Sequence, residues 1–176
     1  SRQETADADI AISKSGQPDS FPAIQRLRVG SPGEKILDIK QVRDKAIILK
    51  EASAWLLSGA WPNVRVELLD DTVEFPLPDT AAVMDGQVFV LSSIGVVAVS
   101  ESGVANMGAP IEGDVRAVVE QALRIRANLA SDATTSIHAL ASWGAVDELE
   151  HRYLLGIPSA VGAPSTTPTT ARRIDN

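Results

Sequence analysis

The chain has 176 residues, 44% of them apolar and 22% charged, which suits one globular domain with a substantial core and is short for two. Its formal net charge is -7, which argues against nucleic acid as the main partner, because such binding draws its affinity from cations set against phosphates. There is no cysteine, so disulfides, thiolate nucleophiles and thiolate-bound metals are excluded, and a cytoplasmic setting or an assembled particle is expected.

Residues 1–21 are polar and lack periodicity, and they are expected to form a flexible or extended arm. From Ser31 the pattern predicts a helix. Pro32 sits at a first helical position, and Ser31 with Glu34 has the spacing of a capping box. Ile39, Val42, Ala46, Leu49, Ser53 and Leu56 follow at intervals of three and four, and Gly59 and Pro62 mark the end. AIILKEA alone also suits a strand.

After Trp61 the period changes to two. Residues 64–69 and 73–77 alternate like a hairpin turning at Asp70-Asp71, which sets Glu67 opposite Glu74 on its polar side. Asp85-Gly86 is a strong hairpin signal, and QVFVLSS and GVVAVSE read as the next two strands. The apolar run VFVLSSIGVVAV, residues 88–99, is too short to span a bilayer, and no secretory signal stands at the start. Helical spacing returns at residue 112. A second helix is expected from Asp132, and VDELEHRYLLG continues it to Gly156. Residues 157–176, rich in proline, serine and threonine, read as a second arm.

The expected fold is therefore a single α+β domain over residues 22–156. It has an N-terminal helix, an antiparallel meander of four to six strands, and two or three C-terminal helices on one face of the sheet. No internal repeat stands out in the sequence.

Charge is segregated along the chain. Residues 66–115 hold nine acids and no lysine or arginine, whereas residues 26–50 hold seven bases against three acids. The two regions either pair within one chain or meet between subunits, giving head-to-tail complementarity.

Chemistry-bearing groups are sparse. Asp147 and His151 are the least weak catalytic pair, at the i, i+4 spacing of a helix face, while His138 would point elsewhere. Asp70 and Asp71 are weak metal candidates, because a hairpin tip supplies few converging oxygens and the EF-hand spacing is missing. No cofactor motif occurs: Glu112 and Asp114 stand where a helix start would need to accept phosphate. Trp55, Trp61 and Trp143, with Arg43, Lys45, Glu67 and Glu74, are the interface candidates.

These features favour a non-enzymatic assembly protein. It would be a homo-oligomeric structural component such as a virion shell or tail part or a scaffold, with itself or a basic protein as partner. The alternatives are a ligand-binding protein or enzyme with a pocket between sheet and helices, and an acidic adaptor or chaperone shielding a basic partner.

Overall fold

A computed structural model of the chain describes residues 8–107, 112–126, 141–157 and 171–175. Among the described residues there are thirteen strands and one helix, so the α+β expectation gives way to a mainly β fold. A short ribbon of β1 (Asp9–Ala11) and β2 (Arg26–Arg28) precedes a four-stranded antiparallel meander of β3 (Ile36–Val42), β4 (Lys45–Lys50), β5 (Ala54–Ser58) and β6 (Arg65–Asp70). A second four-stranded meander follows, of β7 (Leu77–Met84), β8 (Gln87–Ser92), β9 (Gly95–Ser100) and β10 (Gly103–Asn106). Helix α1 (Glu112–Arg126) leads on to a third sheet of β11 (Trp143–Asp147), β12 (Arg152–Gly156) and β13 (Ala171–Asp175).

The N-terminal helix predicted from Ser31 is replaced by β3, β4 and β5. The chain reverses at Arg43-Asp44 and again after Lys50, so the three-and-four spacing is fortuitous. Val42, Leu49 and Leu56 face the second sheet, while Ile39 and Ala46 lie on the opposite face. β-Branched residues such as Ile36, Ile39, Ile47 and Ile48 fit this strand reading better than a helix.

The hairpin predicted at Asp70-Asp71 is also corrected. β6 pairs with β5, which sets Glu67 opposite Leu56 rather than Glu74. Residues 71–76 instead carry the chain between sheets, with Val73 and Phe75 buried in the core between them. The Asp85-Gly86 turn forms as predicted. Both residues have positive φ (51° and 77°), the conformation that favours Asp-Gly in two-residue hairpins.

At the C-terminal side α1 is helical, but VDELEHRYLLG forms the β11–β12 hairpin. The helix predicted from Asp132, and His138 within it, lie outside the described residues.

The second meander is the centre of the molecule. Val88, Val90, Val97 and Val99 point into one core with Ile47, Leu49, Leu56 and Phe75. Phe89, Leu91, Val96 and Ala98 point into another, with Val115, Val118, Val119 and Ala122 of α1 and with Tyr153 and Leu155. Burial on both faces is why residues 88–99 are apolar without alternation.

The three sheets repeat one relation. β3, β7 and β11 run toward the same end, where Arg43 lies against Gly86 and Asp85 meets His151. The sheets meet along these first strands, which form a seam; the first two sheets also touch between β6 and β10, and α1 packs on β9.

At the seam, β7 is bulged: its register with β8 jumps between Leu77 and Ala82. The Thr80 hydroxyl fills the gap, donating to the Leu77 carbonyl (2.6 Å) and accepting from the Leu91 amide (2.9 Å). The Thr80 carbonyl accepts the Tyr153 hydroxyl (2.7 Å), and Gly144 passes so close that a Cβ there would sit 2.0 Å from that carbonyl oxygen.

On the far side of the first meander, residues 29–35 are fastened to β4 by Lys50. Its Nζ is fully buried and donates to the Val29 (2.7 Å) and Ser31 (3.0 Å) carbonyls, 3.4 Å from Glu34 Oε2. Glu34 Oε1 accepts from the Ala52 amide and Ser53 Oγ, and Ser53 Oγ accepts from Trp55 Nε1. Glu34, predicted to cap a helix, instead ties a loop to a strand.

Two outcomes follow from these contacts. Burial pushes the Tyr153 pKa far above the ordinary tyrosine value, so the fold favours the neutral phenol. Its contribution to stability is complete below the unfolded tyrosine pKa of about 10 and is lost as pH rises beyond it. Tyr153→Phe should cost about 1 kcal/mol near neutral pH and flatten the alkaline loss, as read by denaturant titration across pH. Lys50→Ala, which leaves Glu34 without its buried cation, should destabilise by about 3 kcal/mol in the same titration.

Candidate functional site

Two regions gather the residues singled out from sequence: the end where the hairpin tips meet, and the outward faces of the first and third sheets. At the tips, Arg43, Asp85 and His151 have φ of 56°, 51° and 49°, and they are the non-glycine residues with positive φ among the described residues. Each stands in the turn joining the first two strands of its sheet: Arg43 and Asp85 open two-residue turns, and His151 closes the longer turn of residues 148–151. Backbone strain at a cluster of side chains often marks a functional site. Here the turns account for it at Asp85 and His151, since aspartate and histidine tolerate this conformation.

His151 Nδ1 lies 3.2 and 3.3 Å from the two carboxylate oxygens of Asp85. Asp147, the expected partner of His151, serves its own turn instead. Its Oδ1 accepts the Leu149 and Glu150 amides and shapes the β11–β12 connection. The predicted helical Asp147–His151 pair is therefore replaced by a cross-sheet His151–Asp85 pair. Both of its side chains are about half exposed or more, so water screens the interaction. It stands on exposed hairpin tips.

Lys45 makes an ion pair with Glu101 in the turn between β9 and β10. Hydrogen bonding to Glu101, with the nearby charges of Asp44 and Glu67, raises the Lys45 pKa. The basic β3–β4 hairpin thus meets the acidic second sheet within one chain, and at Lys45 the segregated charge is satisfied internally. Glu74 lies in the connection between the first two sheets, where its backbone pairs with Ser93.

Asp70 Oδ1 accepts the Thr72 amide, the Thr72 hydroxyl and the Val73 amide, so this carboxylate is engaged in closing its own turn. Among the described residues, no group of three or more histidines, aspartates or glutamates could hold a metal ion. None of the described helices is long and apolar enough to cross a membrane. A groove of about 370 Å³ runs between the β8–β9 turn and α1, lined by Ser93, Ile94, Asn106, Val119 and Leu123.

The outward faces hold two of the three tryptophans. On the first sheet, register aligns Ile39, Ile48, Trp55 and Leu68 in one row across all four strands. Ile48 is buried and the Trp55 ring lies against Gly30, but Ile39 and Leu68 remain 44% and 48% exposed. Half-buried Ala46, Leu57 and Val66 form the next row.

On the third sheet, Trp143, Ala145 and Leu154 lie on the face turned away from the core, because Val146, Tyr153 and Leu155 point inward. The Trp143 indole covers Gly156 and is 44% exposed. Trp61 is on the loop between β5 and β6, also partly exposed, and precedes a cis proline. The half-exposed row escaped the sequence reading, which placed Ile39, Ile48 and Trp55 on a helix and Leu68 on the strand after it; β-branched residues in register were the signal for it.

The His151–Asp85 pair is screened and the Lys50 cluster is buried. His151→Ala should therefore leave the unfolding midpoint in denaturant nearly unchanged, whereas Lys50→Ala should move it to clearly lower denaturant. No protein-family model matches the sequence, and comparison with curated proteins finds no match.

Proposed function

We propose that the chain is a non-enzymatic assembly protein that associates with copies of itself through the outward face of the β3–β6 sheet. The observation that carries this reading is the row Ile39–Ile48–Trp55–Leu68, whose two ends stay exposed while Ile48 is buried and Trp55 lies against Gly30. The equivalent positions of the central sheet are covered on both sides. With half-buried Leu57 and Val66 in the next row, Leu68 gives this face an apolar edge open to water, and exposed apolar patches mark interaction surfaces.

The relative sizes of the forces favour an apolar contact over a charged one. Fully burying a leucine or isoleucine contributes about 1.5–3 kcal/mol, against roughly 0–1 kcal/mol for an exposed ion pair. Lys45, the base best placed to reach a partner's acids, is engaged with Glu101 of its own chain.

The chain should accordingly have a mass in solution above its own 18.6 kDa in light scattering. Adding salt should leave that mass unchanged, because salt screens charge rather than apolar burial. Ile39→Lys with Leu68→Lys should reduce it to the single-chain value. A wild-type chain that stays monomeric at high concentration, or an assembly that salt dissolves, would contradict the proposal.

A further inference from the structure

Resting on that self-assembly reading, we infer that two copies pair edge to edge along β6, antiparallel about a two-fold axis at Val66, so that their β3–β6 sheets join into one. β6 ends its sheet, and among the described residues its backbone hydrogen-bonds to no strand other than β5. Such an edge offers a row of unpaired amides and carbonyls to a further strand.

The segment Val64-Arg65-Val66-Glu67-Leu68 is complementary to itself. Register with β5 puts Val66 and Leu68 on the outward face, beside Leu57 and Trp55, and puts Arg65 and Glu67 on the other, beside Ser58 and Leu56. Val64 shares the outward face by alternation. About an axis at Val66, Arg65 lies opposite the partner's Glu67, and Glu67 opposite the partner's Arg65. Val66 then meets the partner's Val66, and Leu68 meets the partner's Val64. Opposite charges directly across two antiparallel strands stabilise the pair, and like charges destabilise it. Moving the axis to Arg65 or Glu67 would set like charges face to face.

Both charges are exposed and unclaimed. Neither Arg65 nor Glu67 has an ion pair or side-chain hydrogen bond among the described residues, and Lys45, which feels the Glu67 charge, is held by Glu101. The same pairing covers Leu68, 48% exposed, and carries the apolar rows of the outward face from one sheet into the other. The charges set the register, while the backbone ladder and the apolar row hold the pair when salt is added. Copies part without unfolding, so β6 amides still exchange ahead of the central strands.

The pairing stops at Leu68 for a local reason. Leu69 is skipped in the register with β5, and β10 touches β6 there: a Cβ on Gly103 would lie 4.0 Å from the Leu69 carbonyl oxygen. The register centred on Val66 uses residues 64–68 and leaves that end alone. The other edge of the sheet, β3, lies along β7 and is interrupted by a bulge.

The chain has no cysteine, so a single introduced thiol forms a disulfide only with a second copy. At the two-fold position the Cα atoms lie about 4.5–5.5 Å apart, within disulfide reach, whereas the two Leu68 positions lie on the order of 13 Å apart. Under mild oxidation Val66→Cys should run as a covalent dimer on a non-reducing gel, and Leu68→Cys should stay single. In light scattering, Arg65→Glu and Glu67→Arg should each weaken dimerisation on the order of tenfold. The two variants mixed should pair again, because every cross-strand contact then joins opposite charges.

A wild type that associates while Val66→Cys stays single, or while Leu68→Cys cross-links as readily, overturns the β6 pairing and leaves the assembly reading standing. A mixture of the charge variants that does not recombine does the same. A monomeric wild type overturns both.

Discussion

Burial of the β7–β10 sheet on both faces is the constraint from which the other elements take their positions. Alternate residues of β8 and β9 feed two separate cores. The valines at 88, 90, 97 and 99 pack toward the first sheet, and Phe89, Leu91, Val96 and Ala98 pack toward α1 and Tyr153. A strand with no solvent face must be covered twice. The first meander supplies one cover, and α1 with the β11–β12 hairpin supplies the other. The bulge at Thr80 lets the second cover come close, since its hydroxyl repairs the interrupted ladder while its carbonyl receives Tyr153. Gly144 completes that approach, because a side chain there would collide with Thr80.

The same packing rule separates the central sheet from its neighbours. The first and third sheets each bury one face and leave the other partly open to water. Residues 29–35 cover part of the first surface, through a buried lysine with two carbonyl acceptors and a carboxylate beside it. Removing one member of such a cluster strands the others, which makes it a firm attachment even where its net contribution is small.

How far these features could be seen in the sequence depended on the range of the signal. The Asp85-Gly86 turn was legible because its backbone preference is local, and α1 because its buried stripe lies on one continuous element. Residues 36–58 misled because two reversals, at Arg43-Asp44 and after Lys50, carry no glycine or proline, so three strands merged into an apparent amphipathic helix. The hairpin at Asp70-Asp71 misled differently. Alternation on both sides of a turn does not say whether the flanking strands pair with each other or belong to different sheets. The repeat was hidden too: the first-strand turns Arg43-Asp44 and Asp85-Gly86 share a backbone position but little composition, and α1 separates the second meander from the third sheet. At the tips, His151 was identified as the histidine of interest but joined to Asp147, because its actual partner, Asp85, is brought near only by the stacking of sheets. The acidic stretch from 66 to 115 proved to be chiefly the connection and second meander, meeting the basic hairpin inside the chain at Lys45–Glu101.

The proposed assembly depends on which sheet is central and on which sheet faces stay open. Native-state hydrogen exchange resolved along the chain tests that arrangement most directly. Amides of Val88–Leu91 and Val96–Val99 should exchange slowest, only through global unfolding, while those of the edge strand β6 exchange sooner through local opening. Equal protection of β6 and β8, or faster exchange in β8 and β9 than in β6, would contradict a central sheet covered on both faces.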